Sequence, residues 1–256
     1  MRFVHYSGES GLTKLDPAYH GTGIAGTEKR VAREYPDIFT PRLYAYHTQH
    51  TRDSKPGTFV YVGDVPDSLV LLAGSESAKA LTVTGADLLR YGYAKMDVRA
   101  RVEIETRRAF DCGYHAIDTG LGGIILLHPI EVTELPRDAM REIVELHNRE
   151  GGCTYSLTLG NMAGKTGYAV SVHPFCNQQV AGKAIRYEHV VAFAAENRVL
   201  ASDTILHIGT WYDTTTNATD IDVITTVGTV GWALELARKF DQKAIFDLSA
   251  MVTIPV

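Results

Sequence analysis

One amphipathic segment divides this chain into two stretches of different character. It reads ELPRDAMREIVELHNREGG, residues 134–152. Its apolar positions follow the three–four spacing of one helical face: Met140, Ile143, Val144 and His147. We expect Pro136 to end the preceding strand, Asp138 to cap the helix and Gly151 to terminate it.

The segments on either side of this helix predict an α+β fold in two domains, residues 1–136 and 137–256. Five strands are expected in the first domain: Arg2–Tyr6, Arg42–His47, Thr58–Val62, Tyr114–Ile117 and Gly123–Leu127. One helix, Val98–Phe110, should lead into a turn at Gly113. The second domain should contain helices over 186–198 and 231–240, a hairpin over 209–227, and strands over 166–174, 243–248 and 252–256. Most strands should be antiparallel.

The composition is that of an ordinary soluble protein: 256 residues, 45% of them hydrophobic and 21% charged. The net charge of −5 disfavours nucleic acid and anionic membranes as partners, although a local patch can still bind phosphate. Cys112, Cys153 and Cys176 have no metal-like spacing and predict neither a disulfide framework nor a zinc site. The longest apolar run, Ile124 to Leu127, is far short of the roughly 20 residues that cross a bilayer. With no apolar signal segment at its start, we expect a cytoplasmic protein.

The stretch RFVHYSGESGLTKLDPAYHGTG, residues 2–23, joins a strand to a loop with few side chains. His5 on the strand suits ligand binding, but it also suits an ordinary half-buried position. Gly21 and Gly23 can adopt positive φ and let a ligand approach the backbone, whose N–H groups can bind an anion such as a diphosphate. Their spacing matches neither the dinucleotide-binding fingerprint nor a P-loop.

The stretch PRLYAYHTQH carries two aromatic side chains on one predicted strand. Tyr44 and Tyr46 should share a face, either as a wall for a flat ring or as ordinary sheet tyrosines. His47, His50 and Asp53 follow, but they do not form a metal-ligand motif, so we predict no metal.

Asp118 ends a predicted strand in CGYHAIDTGLGGIILLHP, directly before a glycine-rich turn. A carboxylate in this position is suited to catalysis. It is equally suited to forming the turn itself, because Asp favours such places.

Taken in order, these motifs resemble the ADP-ribosyltransferase fold of the His–Tyr–Glu class, which includes diphtheria-toxin-like and poly-ADP-ribosyl enzymes. The motifs are HYS on the first strand, the HGTG loop, the YAY strand, and GYHAID before GGIILLHPIEV. The closer similarity is to small phage and bacterial members, among them anti-CRISPR enzymes, some of which use Asp as the third acid. The resemblance covers about residues 2–135 and implies a split β-sheet core, followed by a second α+β module.

The resemblance implies a role for each matched position. His5 would hold the adenosine-side ribose of NAD, and Ser7 would lie near the nicotinamide amide. Tyr44 would stack on nicotinamide, with Tyr46 as the alternative. Asp118 would be the final acid, with a reach one methylene shorter than that of Glu. The residues implied in NAD binding are His5, Tyr6, Ser7, Gly21, Thr22, Gly23, Tyr44 and Tyr46, and those implied in catalysis are Asp118, Tyr44 and His5.

A rival assignment uses Glu103 and Glu105 in RVEIETR, which imitate the Glu-x-Glu signature of arginine-specific toxins, with Arg2 as the first-strand residue. The pair lies in an expected helix ahead of the glycine turn, not on a loop before a strand. We therefore interpret both as exposed helical charges.

These observations predict a mono-ADP-ribosyltransferase of toxin or effector type. It would use NAD as donor and a target protein as acceptor, and a carboxylate would stabilise an oxocarbenium-like ribosyl centre without a metal. Alternatives are an NAD glycohydrolase in the same pocket and a non-catalytic binding protein that retains the fold. A nucleic-acid acceptor is disfavoured by the acidic net charge. Export, or delivery by a phage, without a signal peptide is compatible with the sequence.

We expect residues 137–256 to recognise the target. Trp211 and Tyr212, in GTWYDTTTNATD, are interpreted as hairpin core and turn residues rather than as a ligand site. No second constellation of catalytic residues is found in this segment.

Overall fold

The computed structural model describes residues 1–18, 25–50, 59–172, 177–197, 200 and 203–256. These residues form two compact units, one ending at Glu134 and one beginning at Leu135. The division lies two residues before the one expected after Pro136. Both units contain helices and strands, so the fold class is α+β.

The first unit has eight strands and four helices among its described residues. The strands are β1 Arg2–Ser7, β2 Lys14–Leu15, β3 Leu43–His47, β4 Phe59–Asp64, β5 Val70–Leu72, β6 Ala116–Asp118, β7 Gly123–Leu126 and β8 Ile130–Leu135. The helices are α1 Ala25–Glu34, α2 Glu76–Ala80, α3 Gly85–Arg90 and α4 Val98–Asp111. The five expected strands and the expected helix over 98–110 are confirmed. The strand that Pro136 was expected to end is confirmed as β8, whereas β2, β5 and the three shorter helices were not predicted.

The strands of this unit form one sheet in the order β2-β8-β4-β1-β3-β7-β6-β5. The first strand is therefore central, antiparallel to β3 on one side and to β4 on the other. The β5–β6 pair is parallel, and every other pair with a described register is antiparallel. Because side chains alternate along each strand, the register decides which candidate residues share a face of the sheet.

Each face of this sheet is covered by its own apolar cluster. On one face, side chains of six strands pack together with Val65; the buried residues of this cluster are Phe3, Leu15, Ala45, Val65, Ala116, Ile124, Leu126 and Ile130. On the other face, α4 contributes Ala109 and Phe110 to a cluster with Leu71 and Leu127. Burial of each large aliphatic side chain contributes about 1.5–3 kcal/mol.

The second unit has eight strands and three helices in the described chain. The strands are β9 Gly152–Ser156, β10 Gly160–Asn161, β11 Tyr168–Ser171, β12 Asn177–Ala181, β13 Leu206–Asp213, β14 Ala218–Val227, β15 Ala244–Asp247 and β16 Val252–Pro255. The helices are α5 Arg137–Glu150, α6 Tyr187–Glu196 and α7 Val230–Lys239. The sheet order is β10-β9-β13-β14-β11-β15-β16, with β12 also paired to β14. The expected hairpin over 209–227 is confirmed as β13–β14.

Helices α5 and α7 pack on the same face of the second sheet. His147 of α5 contacts Thr210, and Ala233 and Ala237 of α7 pack with Val170. The β13–β14 and β11–β14 registers place Thr210 and Val170 on one face. The other face is covered at one end by Met162, Ala169, Ile224 and Leu248.

The start of α5 differs from the expectation. Pro136 occupies the N-cap position and makes no side-chain cap bond, while Asp138 lies in the first turn. A carboxylate in that turn still interacts favourably with the helix dipole. The predicted end at Gly151 is confirmed: its φ is 88°, and its N–H donates to the carbonyl of His147 at 2.7 Å.

Candidate functional site

A histidine–aspartate pair lies where the β6–β7 hairpin turns. Nε2 of His47 lies 3.0 Å from Oδ1 of Asp118 and donates to it, because a carboxylate only accepts. The same oxygen accepts the N–H of Gly120 at 2.8 Å. The hydroxyl of Thr119 donates to the carbonyl of Gly123 at 2.7 Å and closes the turn. The carboxylate is therefore held from two sides.

The environment of Asp118 favours its charged form. Burial alone would raise the pKa, but the hydrogen bonds from His47 and from the N–H of Gly120 outweigh it and leave the pKa of Asp118 below its ordinary value. The side chains of Asp118 and His47 are 13% and 28% exposed. An ionised, partly accessible carboxylate is the species that can stabilise a developing positive charge.

A glycine in the turn before β7 pairs with His47. The N–H of His47 donates to the carbonyl of Gly122 at 3.1 Å, and β3 pairs with β7 directly after it. Gly122 has φ of +84°, a backbone conformation that favours glycine.

The strand registers align four residues in one row across the sheet: His5, Ala45, Ile124 and Asp118. Their side chains point to one face. Three strand spacings of about 4.8 Å place the backbones of His5 and Asp118 roughly 14 Å apart. The two central residues are 1% and 0% exposed. Apolar core therefore separates the two polar ends of the row.

His5 is held in a single tautomer. Its Nδ1 lies 2.8 Å from the carbonyl oxygen of Tyr44, which can only accept, so Nδ1 carries the proton. Burial lowers the pKa of His5, although the bond to Tyr44 opposes the shift. At neutral pH the imidazole is uncharged, and Nε2 is left as a hydrogen-bond acceptor.

The two tyrosines lie on the opposite face of the sheet from His5 and Asp118. Val4 pairs with Tyr46, so Tyr44 and Tyr46 share the face of Val4 and Tyr6. The rings of Tyr6 and Tyr46 pack edge to face with centroids 6.0 Å apart. The structure thus brings two aromatic residues together, but not with the carboxylate that they were expected to accompany.

The remaining residues of the expected site are only partly described. Ser7 shares the face of His5, at the end of β1, and its hydroxyl accepts the N–H of Glu9 at 3.1 Å. Gly21, Thr22 and Gly23 lie outside the described residues. Asp53 also lies outside them.

The interpretation of Glu103 and Glu105 as exposed charges is wrong. Glu103 is fully buried in α4, and Nη2 of Arg42 donates to its two oxygens at 2.7 and 2.8 Å. Glu105 is half-buried and accepts the N–H of Val83 at 2.9 Å. Helical position alone does not reveal burial, and the partner Arg42 is 61 residues away in sequence. Both carboxylates have structural roles.

A cavity of about 310 Å³ lies between α4 and the tyrosine-bearing face of the sheet. Its lining is largely apolar and includes Ile117 and Ile125, with Glu105 and Lys79 as the charged groups. Ile125 is the cross-strand neighbour of Tyr44. The volume is at the lower end of the range of small-molecule sites.

The second unit contains a buried histidine network without an activated nucleophile. Nε2 of His147 donates to the carbonyl of Lys183 at 2.8 Å, so Nδ1 accepts from the hydroxyl of Thr210 at 2.9 Å. The Cys153 sulfur lies 3.3 Å from the same hydroxyl. Burial raises the pKa of the Cys153 thiol to about 11, so it remains protonated at neutral pH. The network stabilises the fold.

Within the described ranges, no group of three or more His, Cys, Asp or Glu side chains is arranged to hold a metal ion. None of the helices described is both long and apolar enough to cross a membrane. In comparisons with protein-family models, curated proteins and solved structures, the chain gives no significant match.

Proposed function

We propose that the first unit is an ADP-ribosyltransferase-like domain that transfers ADP-ribose from NAD to a side chain of a target protein and releases nicotinamide. The observation that supports this most directly is the His47–Asp118 pair: an ionised, oriented carboxylate beside a glycine turn. His5 lies on the same face of the sheet. The proposal places the reaction centre at the Asp118 end of this row.

The reaction breaks the bond between C1′ of the ribose and the nicotinamide nitrogen, and the bonding electrons leave with nicotinamide. Positive charge then develops on the ribose, and the carboxylate of Asp118 stabilises it. The acceptor side chain forms the new bond to C1′ and gives up its proton. His47 keeps the carboxylate oriented, and Nε2 of His5 is suited to accept a hydrogen bond from a ribose hydroxyl.

The proposal is tested with NAD labelled separately in its nicotinamide and adenine parts, incubated with a cell lysate. Asp118→Asn should lower nicotinamide release by about 100-fold or more, because it removes a charge aimed at the transition state. Asp111→Asn, an exposed carboxylate 58% accessible in α4, is the matched control and should retain full activity. Equal activity of the two variants would overturn the assignment of Asp118.

The labelled adenine part distinguishes the transferase from its alternatives. Label on lysate proteins supports transfer. Label found only as free ADP-ribose would identify a glycohydrolase, with water as acceptor. No turnover by the wild-type chain, under conditions where it binds a partner, would overturn the enzymatic proposal and favour a binding protein.

A further inference from the structure

Trp211 is exposed on the face of the second sheet that α5 and α7 leave uncovered. Its side chain is 45% exposed, so it is not the hairpin core residue that the sequence suggested. Its cross-strand neighbours are Gly152 on β9 and Asp220 on β14. The β13–β14 register adds Gly209 opposite Asp222 on the same face. We call the surface formed by Trp211, Gly209, Asp220, Asp222 and Gln179 the Trp211 face.

The glycines keep the Trp211 face flat beside the indole. A Cβ at Gly209 would lie 2.4 Å from Oδ1 of Asp222, so the missing side chain is what lets this carboxylate lie over β13. Gly152 likewise presents no side chain next to Trp211. The indole therefore has backbone and carboxylates, rather than apolar side chains, as its cross-strand neighbours.

The two carboxylates of the Trp211 face have polar partners but no cation. Asp220 accepts from Nε2 of Gln179 at 3.1 Å, and the hydroxyl of Ser171 donates to Asp222. In the described chain neither aspartate forms a salt bridge with Lys or Arg. Burial raises the pKa of Asp222, and the neighbouring charge of Asp220 raises it further. Asp220 and Asp222 are two residues apart on one face of β14, and their like charges repel each other. This arrangement lowers the stability of the folded chain.

We propose that the Trp211 face binds an arginine side chain of a partner protein. A guanidinium is planar, so it can stack on the indole of Trp211 while its N–H groups donate to the carboxylates of Asp220 and Asp222. Charge-assisted hydrogen bonds of this kind are roughly twice as strong as neutral ones. The incoming cation also removes the repulsion between the two aspartates. The inference concerns the second unit and does not depend on the reaction proposed for the first.

The test is a titration of the full chain with a short Gly/Ser peptide that carries several arginines. The signal is the fluorescence of Trp211, measured in a Trp232→Phe background because Trp232 is the other tryptophan of the chain and is 56% exposed. The same peptide with citrulline in place of arginine retains shape and hydrogen-bonding groups but loses the charge. A maltooligosaccharide tests whether a neutral polyhydroxylated ligand binds instead.

We expect the arginine peptide to bind at least about tenfold more tightly than the citrulline peptide, and rising salt to weaken its binding. Asp222→Asn should remove most of that preference. Trp211→Ala should also weaken binding, whereas Trp232→Ala should not. Because Trp211→Ala removes the fluorophore, its binding is measured from chemical-shift changes of backbone amides. Thermal unfolding of each variant establishes that it is folded.

Three outcomes would overturn the proposal. One is equal binding of the arginine and citrulline peptides, and another is unchanged binding by a folded Trp211→Ala variant. The third is binding of the oligosaccharide in preference to the arginine peptide, which would assign the Trp211 face to carbohydrate.

Discussion

The guanidinium of Arg42 donates through Nη2 to both oxygens of Glu103, and the two side chains are only 2% and 0% exposed. Arg99 adds a second cation, with Nε 3.3 Å from the same carboxylate. This contact joins the segment before β3 to the middle of α4. It fixes the helix to the segment that leads into the sheet.

Glu103→Ala should therefore destabilise the protein without a specific loss of activity. Removal of one partner of a buried ion pair costs about 3–5 kcal/mol, because the remaining charge stays in a poorly solvated position. Glu76→Ala, which removes an 89% exposed carboxylate paired with Lys79, should cost less than about 1 kcal/mol. Urea unfolding measures both. Equal stability of the two variants would contradict the structural role of Glu103.

The pH dependence of nicotinamide release should reveal the contact between His47 and Asp118. The pKa of Asp118 lies below its ordinary value, so the rate should fall only when acidification protonates this carboxylate. His47→Phe keeps an aromatic ring but removes the donor that lowers the pKa, so the acid limb of kcat/KM should move to higher pH. His189→Phe, in the second unit, is the control. If the acid limb of kcat/KM is at the same pH in His47→Phe as in wild type, His47 does not lower the pKa of Asp118.

The buried His147 should make the protein less stable in mild acid. Burial lowers its pKa below the value of 6.5 in the unfolded chain, so unfolding takes up a proton. Its contribution to stability is complete above pH 6.5 and is lost as the pH falls through the lower, folded value.

His147→Leu should lose about 1–3 kcal/mol at about pH 7.5, because the carbonyl of Lys183 and the hydroxyl of Thr210 lose their partner. When the pH is lowered from about 7.5 to about 5, the free energy of unfolding should fall less in this variant than in wild type. Urea unfolding at both pH values measures the difference. His5, His128, His189 and His207 also have lowered pKa values, so only the difference between variant and wild type is informative.

Asp222→Asn should stabilise the protein at neutral pH, although we expect it to lose most of the proposed preference for arginine. The folded-state pKa of Asp222 is raised, so stability declines as the pH rises from the unfolded value of about 3.8 through the folded one, and the penalty remains above it. The amide has no charge to repel Asp220, so we expect a gain of about 0.5 kcal/mol. Thermal unfolding near pH 7, with Asp111→Asn as reference, measures it. A loss of stability would show that the carboxylate has a compensating partner.

Local patterns predicted the main elements, because these depend on short-range chemistry. The apolar spacing predicted α5 and the glycine its end, and the turn residues between Trp211 and Asp220 predicted the β13–β14 hairpin. The strand before Asp118 and the turn after it were also predicted from neighbouring residues alone. Very short elements such as β2 carry too few residues for a period to show.

The arrangement of the candidate site could not be predicted, because it depends on strand register. His5 and Tyr44 each lie on an expected strand, but a shift of one residue in pairing exchanges the faces. The pairing of Val4 with Tyr46 places the tyrosines on the face opposite His5, and no local motif predicts this pairing. His47 was considered only as a metal ligand, although a histidine at the end of a strand rich in tyrosine was the available signal. Glu103 and Trp211 were misjudged for the same reason: burial depends on distant partners.

Each sheet is built from its own stretch of sequence. The first sheet uses strands from Arg2 to Leu135, and the second uses strands from Gly152 to Pro255. No strand is shared between them in the described chain. A recombination event near Pro136 would therefore exchange one half of the gene without removing a strand from the other.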